Sequence, residues 1–146
     1  MTIRLVETLE DPFLQPYRTL RRPLEHQREG IFVAEGEKVV RRLLGSTLDV
    51  VSLLLTPEWL EVYRSTLEVR TGSAQIFVAA KPVVESIVGF RLHQGIMAVA
   101  RIPKPPSLAE ALQRRHHPRL LVAVDGLTNA ENLGVLVRNC AAFDVD

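Results

Sequence analysis

The chain has one cysteine, Cys140, which rules out an internal disulfide and fits a reducing, cytoplasmic compartment. No apolar run approaches the length of a membrane span. The opening Met1-Thr-Ile-Arg-Leu-Val-Glu7 lacks the basic stretch and long apolar stretch of a secretory signal. Charge of one sign is missing too: eighteen Lys and Arg face seventeen Asp and Glu, for a net +1, so no global field draws the protein to a polyanion. The four histidines show no metal-ligand spacing, and no metal site is expected. Neither G-x-G-x-x-G nor G-x-x-x-x-G-K-[ST] occurs, which counts against a nucleotide-binding α/β domain. Internal repeats and low-complexity tracts are lacking. Trp59, the single tryptophan, follows a helix start and reads as packing rather than as a base-stacking platform.

What is present is enough to build a core. Hydrophobic residues make up 47% of 146 residues, which suits one compact domain and a fragment of a second. The segment through Pro12 and Pro16 reads as irregular, and a helix is expected from about Tyr17 to Glu29. After it, short apolar runs alternate with helical periodicity. Ile31–Ala34, Val50–Leu55, Ile76–Ala79 and Gly95–Arg101 read as strands. Glu37–Leu44, a segment beginning at Thr56-Pro57-Glu58 and running to about Leu67, and Lys81 to about Val88 read as helices. Such alternation predicts a three-layer α/β/α domain with a largely parallel sheet.

Pro103-Lys-Pro-Pro106 is a stiff break, and the domain boundary is placed there. The expected division is 1–102, a linker and short helix over 103–118, and a second domain opening at 119–146. Ser107-Leu-Ala-Glu110 has the form of a capping box. Leu120–Val124 is expected as a strand, followed by a loop and then a helix. In that helix Leu133, Leu136, Val137, Cys140 and Ala141 share one apolar stripe. Either Thr128 with Glu131 or Asn129 is placed to cap it. Cys140 lies on the stripe and reads as a core residue, whereas Arg138 lies off it. Gly134 admits close approach of a ligand or backbone.

The stretch Leu121–Phe143, with the core Asn132-Leu-Gly-Val-Leu-Val-Arg138, resembles the first motif of SpoU/TrmH-type (SPOUT superfamily) RNA methyltransferases. Phe32-Val-Ala-Glu-Gly-Glu-Lys38 resembles the "FLVEGEK" segment of that family's substrate-binding domain. His93-Gln-Gly-Ile-Met-Ala-Val-Ala-Arg101 resembles that domain's closing strand. Three segments in family order make the likeness specific. Asp144 departs from it, standing where the family usually has Gly, as do Ala130 for a frequent Pro and Asn139 for Thr or Ser.

The resemblance implies an N-terminal RNA-holding domain like kink-turn-binding ribosomal proteins, followed by the first strand and helix of a SPOUT α/β knot domain. The implied reaction moves a methyl group from S-adenosylmethionine to a ribose 2′-OH of tRNA or rRNA. Asn132 and Arg138 match motif residues beside the target ribose. The cofactor-binding residues are expected beyond the chain end, so this chain by itself is expected to bind no S-adenosylmethionine and to be inactive. A homodimer is implied for the complete enzyme. Arg18, Arg21, Arg22, Glu35, Lys38, Arg41 and Arg42 are the candidate RNA contacts. Interleaved Glu25, Glu29, Glu35 and Glu37 make a solvated, ion-paired face the competing reading. Arg114, Arg115, His116, His117 and Arg119 form a further basic cluster, equally explained by a helix dipole. A non-catalytic RNA-binding module of the kink-turn type is the alternative function.

Overall fold

A computed structural model of the chain describes residues 2–8, 10–20, 22–70, 72, 74–88, 95–113 and 120–145. They form two compact units, Met1–Pro103 and Lys104–Asp146.

The first unit is built on five strands, β1 (Thr2–Val6), β2 (Ile31–Glu35), β3 (Val50–Leu55), β4 (Gln75–Ala79) and β5 (Ile96–Arg101), ordered β1-β4-β3-β5-β2. Side chains alternate across the sheet, as the two-residue period of a strand requires. Leu53, Leu55, Ile76, Val78, Ile96 and Ala98 pack on one face against Val40, Leu43 and Leu44 of α3 (Glu37–Leu44) and Tyr63 and Leu67 of α4 (Pro57–Arg70). Leu54, Phe77, Ala79, Met97 and Val99 pack on the other face. There they meet Leu14 of a 3-10 turn (Pro12–Leu14), Tyr17 of α1 (Gln15–Arg18) and Val84 of α5 (Lys81–Val88). A further short helix, α2 (Pro23–Arg28), packs beside β2. The expected three layers are present.

The sheet is mixed rather than largely parallel. β1, β4 and β3 run parallel, but β5 is antiparallel to both β3 and β2. An interior strand covered on both faces is a continuous apolar run whichever way it points, so hydropathy does not encode its direction. β1 replaces the irregular start. It is an edge strand with only Val6 buried, and Leu5 is 78% exposed, so its apolar residues do not report an inner face. The helix expected over Tyr17–Glu29 is two helices. Pro23 is the first residue of α2, and its ring cannot continue the ladder of α1.

Two turns fix how helices leave and enter the sheet. Gly36, at φ +86°, caps the start of α3 and donates its N–H to the Ile96 carbonyl at 3.0 Å. Gly95, at φ +64°, accepts from the Thr56 N–H, and a Cβ on it would lie 2.9 Å from Thr56 Cγ2. On the face that α1 covers, the Tyr17 hydroxyl is 2.7 Å from Ser52 Oγ, so two buried polar groups satisfy each other.

In the second unit, α6 (Leu108–Gln113) opens with the expected capping box. Ser107 N donates to Glu110 Oε2 at 2.7 Å, and Glu110 N donates to Ser107 Oγ at 3.2 Å. The Ser107 hydroxyl, which donates to the same Oε2 at 2.7 Å, and then the Ser107 N–H hold the Glu110 carboxyl below its ordinary range. The strand expected at Leu120–Val124 does not form: the segment joins no ladder among the described residues, and Leu121 and Val124 stay about half exposed. A strand exists through its neighbours, and apolar β-branched sequence alone does not supply one.

Candidate functional site

The helix α7 (Ala130–Ala142) carries the Asn132–Arg138 motif. Asn129, not Thr128, caps it: Asn129 Oδ1 accepts from Glu131 N at 2.7 Å and from Asn132 N at 3.1 Å. The cap ties the backbone of Asn132 to the helix start. One turn on, Arg138 folds back along the helix. A Cβ placed on Gly134 would be 3.5 Å from Arg138 Nη1, so the bare glycine gives the guanidinium a shelf on the side of the helix that faces its N-terminus. Asn132 lies in the first turn of α7, where the helix end carries positive partial charge, and Arg138 reaches back toward Gly134 from one turn further on. At the far end, Asp144 takes the left-handed conformation at φ +52°, and Val145 N donates to the Cys140 carbonyl at 2.9 Å. Asp fills the C-terminal turn that Gly ordinarily fills. Cys140 is half-buried rather than a full core residue.

The candidate RNA contacts fall into two groups on opposite layers of the first unit. Lys38, Arg41 and Arg42 are exposed on α3, and Glu35 is exposed at the end of β2 just before the Gly36 turn. Arg18 and Arg22 belong with α1 and α2 on the other face, lining a cleft of about 470 Å³ with Glu10, Pro12, Gln15 and Thr19. Arg22 is engaged by Glu25 at 3.2 Å. Arg21 lies outside the described residues, as do Arg114, Arg115, His116, His117 and Arg119. The sequence had these arginines as one inventory; the fold separates them by the thickness of the sheet.

One feature of the α3 group was not legible in the sequence. Tyr63, its ring buried in the core, donates its hydroxyl to Glu37 Oε1 at 2.9 Å, and the same oxygen is 3.5 Å from Arg41 Nε. Burial pushes the Tyr63 phenol up, and the Glu37 carboxylate adds to the shift by taking its hydrogen bond. A contact across 26 residues has no periodic signature.

Among the described residues no group of three or more His, Cys, Asp and Glu side chains could hold a metal ion, and no helix is long and apolar enough to cross a membrane. None of the described residues of the second unit is buried.

No family model matches the chain. It is 31% identical over 141 residues to an uncharacterized tRNA/rRNA methyltransferase of Mycobacterium bovis, and 32% identical over 142 residues to one of Mycobacterium tuberculosis. The chain is homologous to tRNA/rRNA methyltransferases. Each alignment takes in 94% of this chain, which spans about half the length of these curated relatives, 47% in both cases. Among solved structures, an AdoMet-bound rRNA methyltransferase of Sinorhizobium meliloti matches with a TM-score of 0.71 at 20% identity, covering 96% of this chain and 51% of that one. An RNA 2′-O ribose methyltransferase matches with a TM-score of 0.64 at 19% identity, covering 97% and 53%. At such identities the structural likeness shows the shared fold. With the homology it bears out the SpoU/TrmH resemblance read from the three segments.

Proposed function

We propose that this chain is the RNA-holding part and the opening of the catalytic domain of a SpoU/TrmH-type methyltransferase. The reaction is transfer of a methyl group from S-adenosylmethionine to a ribose 2′-OH of tRNA or rRNA. The first unit is the RNA substrate-binding domain, and the second begins the methyltransferase domain. The observation that carries this reading is the Asn132–Gly134–Arg138 arrangement on a capped helix, in a chain homologous to tRNA/rRNA methyltransferases over nearly its whole length.

In this reading Arg138 acts as a fixed cation. A guanidinium is too weak an acid to be the base that takes the 2′-OH proton. It does stabilise negative charge that develops on that oxygen, and it can hold the adjoining phosphate through its planar fork. Asn132 orients the ribose through its amide, which both donates and accepts. Lys38, Arg41 and Arg42 of α3, beside Glu35, make the principal backbone contacts. Arg18 and Arg22 on the opposite layer make a second, separate one, and Arg21 is assigned to it by sequence proximity. The cofactor pocket is built by residues other than those described, and the complete enzyme works in the cytoplasm as a homodimer.

The test is methyl transfer to RNA by the methyltransferase that carries this chain. Arg138→Ala is expected to lower turnover by about 100-fold or more, in line with loss of a charge-stabilising donor, while RNA affinity changes little. Turnover equal to the parent enzyme would sink the assignment.

A further inference from the structure

The α3 face contains a built-in constraint on one of its cations. Glu37 sits in the first turn of α3, with its side chain only 22% exposed, and its Oε1 accepts from the Tyr63 hydroxyl and lies 3.5 Å from Arg41 Nε in an ion pair. Tyr63 cannot easily move, because its ring is buried in the core between sheet and helices and tilts against Trp59 at 6.0 Å. The chain of contacts therefore runs from a fixed ring, through one carboxylate oxygen, to a side chain that is otherwise 65% exposed. An exposed arginine ordinarily samples many rotamers and loses that freedom on binding, at about 0.5–1.5 kcal/mol for each side chain immobilised. Here the approach to Glu37 is through Nε. It also lays Arg41 toward the start of α3, where the helix amides favour an anion.

We propose that Tyr63 is a positioning residue for RNA: through Glu37 it pre-orders Arg41 to receive a backbone phosphate at the N-terminal end of α3. This deepens the RNA-binding reading above and rests on it. Tyr63 touches no nucleotide. Its hydroxyl does two things: it keeps the Glu37 carboxylate turned inward, and it makes Arg41 a preset contact rather than a searching one.

The experiment is a double-mutant cycle on the 146-residue chain with Tyr63→Phe, Arg41→Ala and the pair. Binding of a fluorescein-labelled RNA hairpin and of unfractionated tRNA is followed by anisotropy, and the Arg Nε–Hε signals are followed by NMR. Tyr63→Phe keeps the buried ring. It is expected to weaken RNA binding about three- to tenfold and to move the Arg41 Nε–Hε resonance toward that of a freely rotating arginine. In the Arg41→Ala background the same substitution is expected to add less than about twofold, because the two act in series. Equal losses in both backgrounds would mean that Tyr63 only stabilises the fold, and would overturn the proposal. An unmoved Arg41 resonance in Tyr63→Phe would overturn it as well. If the resonance moves but the parent chain binds neither RNA, the RNA reading itself fails and the proposal falls with it. That result is distinguishable from a failed coupling.

Discussion

Tyr17 shows how one residue ties the sheet to its covering helix and gives stability a pH dependence. Its ring is fully buried, its hydroxyl meets Ser52, and burial holds the phenol well above the ordinary 10.0. In the folded chain Tyr17 keeps its proton at pH values where an unfolded tyrosine loses it. The raised folded value therefore contributes stability that is present below pH 10 and is lost as pH rises past it, at up to about 1.4 kcal/mol per pH unit. Denaturant melts of the parent chain at about pH 10 and 11 should show that fall, and Tyr17→Phe should show less of it. Tyr63, whose phenol is also raised, contributes in the same direction and remains in the variant, so some slope persists. Identical pH slopes would show that Tyr17 is not the group responsible. Neither Tyr17–Ser52 nor Tyr63–Glu37 was legible in the sequence, since both join residues far apart in the chain through single hydroxyls. Arg138 was legible, but only through the pattern around it. Helical periodicity put it off the apolar stripe, and its lie over Gly134 needed coordinates.

Elements were read best where local chemistry alone decides them. α3, bounded by the Gly36 turn and carrying Val40, Leu43 and Leu44 inward, has the boundaries that its periodicity gives. The Ser107–Glu110 box starts α6 as its spacing requires. Elements that depend on neighbours were read less well. β1 forms because β4 offers it an edge, β5 runs antiparallel for tertiary reasons, and 120–124 joins no ladder among the described residues although its composition suits a strand. The break between α1 and α2 was available in the sequence at Pro23 and follows from the missing N–H. α7 depends on its cap more than on burial, because Leu133 and Val137 are about half exposed. Asn129→Ala should therefore cost that helix about 1 kcal/mol, visible as lost helical signal in far-ultraviolet circular dichroism at moderate denaturant. An unchanged signal would mean that packing, not the cap, holds α7.

At the scale of the molecule, the three-layer unit accounts for the separation of charges that a near-neutral composition conceals. The net charge is +1, yet α3 presents Lys38, Arg41 and Arg42 on one layer while Arg18 and Arg22 stand on the other. A layered fold turns a charge-balanced sequence into a protein with a local cationic face, and that face is where RNA affinity is proposed to arise. The most direct measurement is titration of a labelled RNA hairpin with the 146-residue chain at several salt concentrations, for the parent and for Lys38→Ala/Arg42→Ala. The account predicts saturable binding by the parent, weakened by salt. In the double variant affinity falls by about tenfold or more, and the slope of log affinity against log salt is shallower by about one to two, as expected when two phosphate contacts are lost. No saturable RNA binding by the parent, or the same affinity and slope in the double variant, would contradict it.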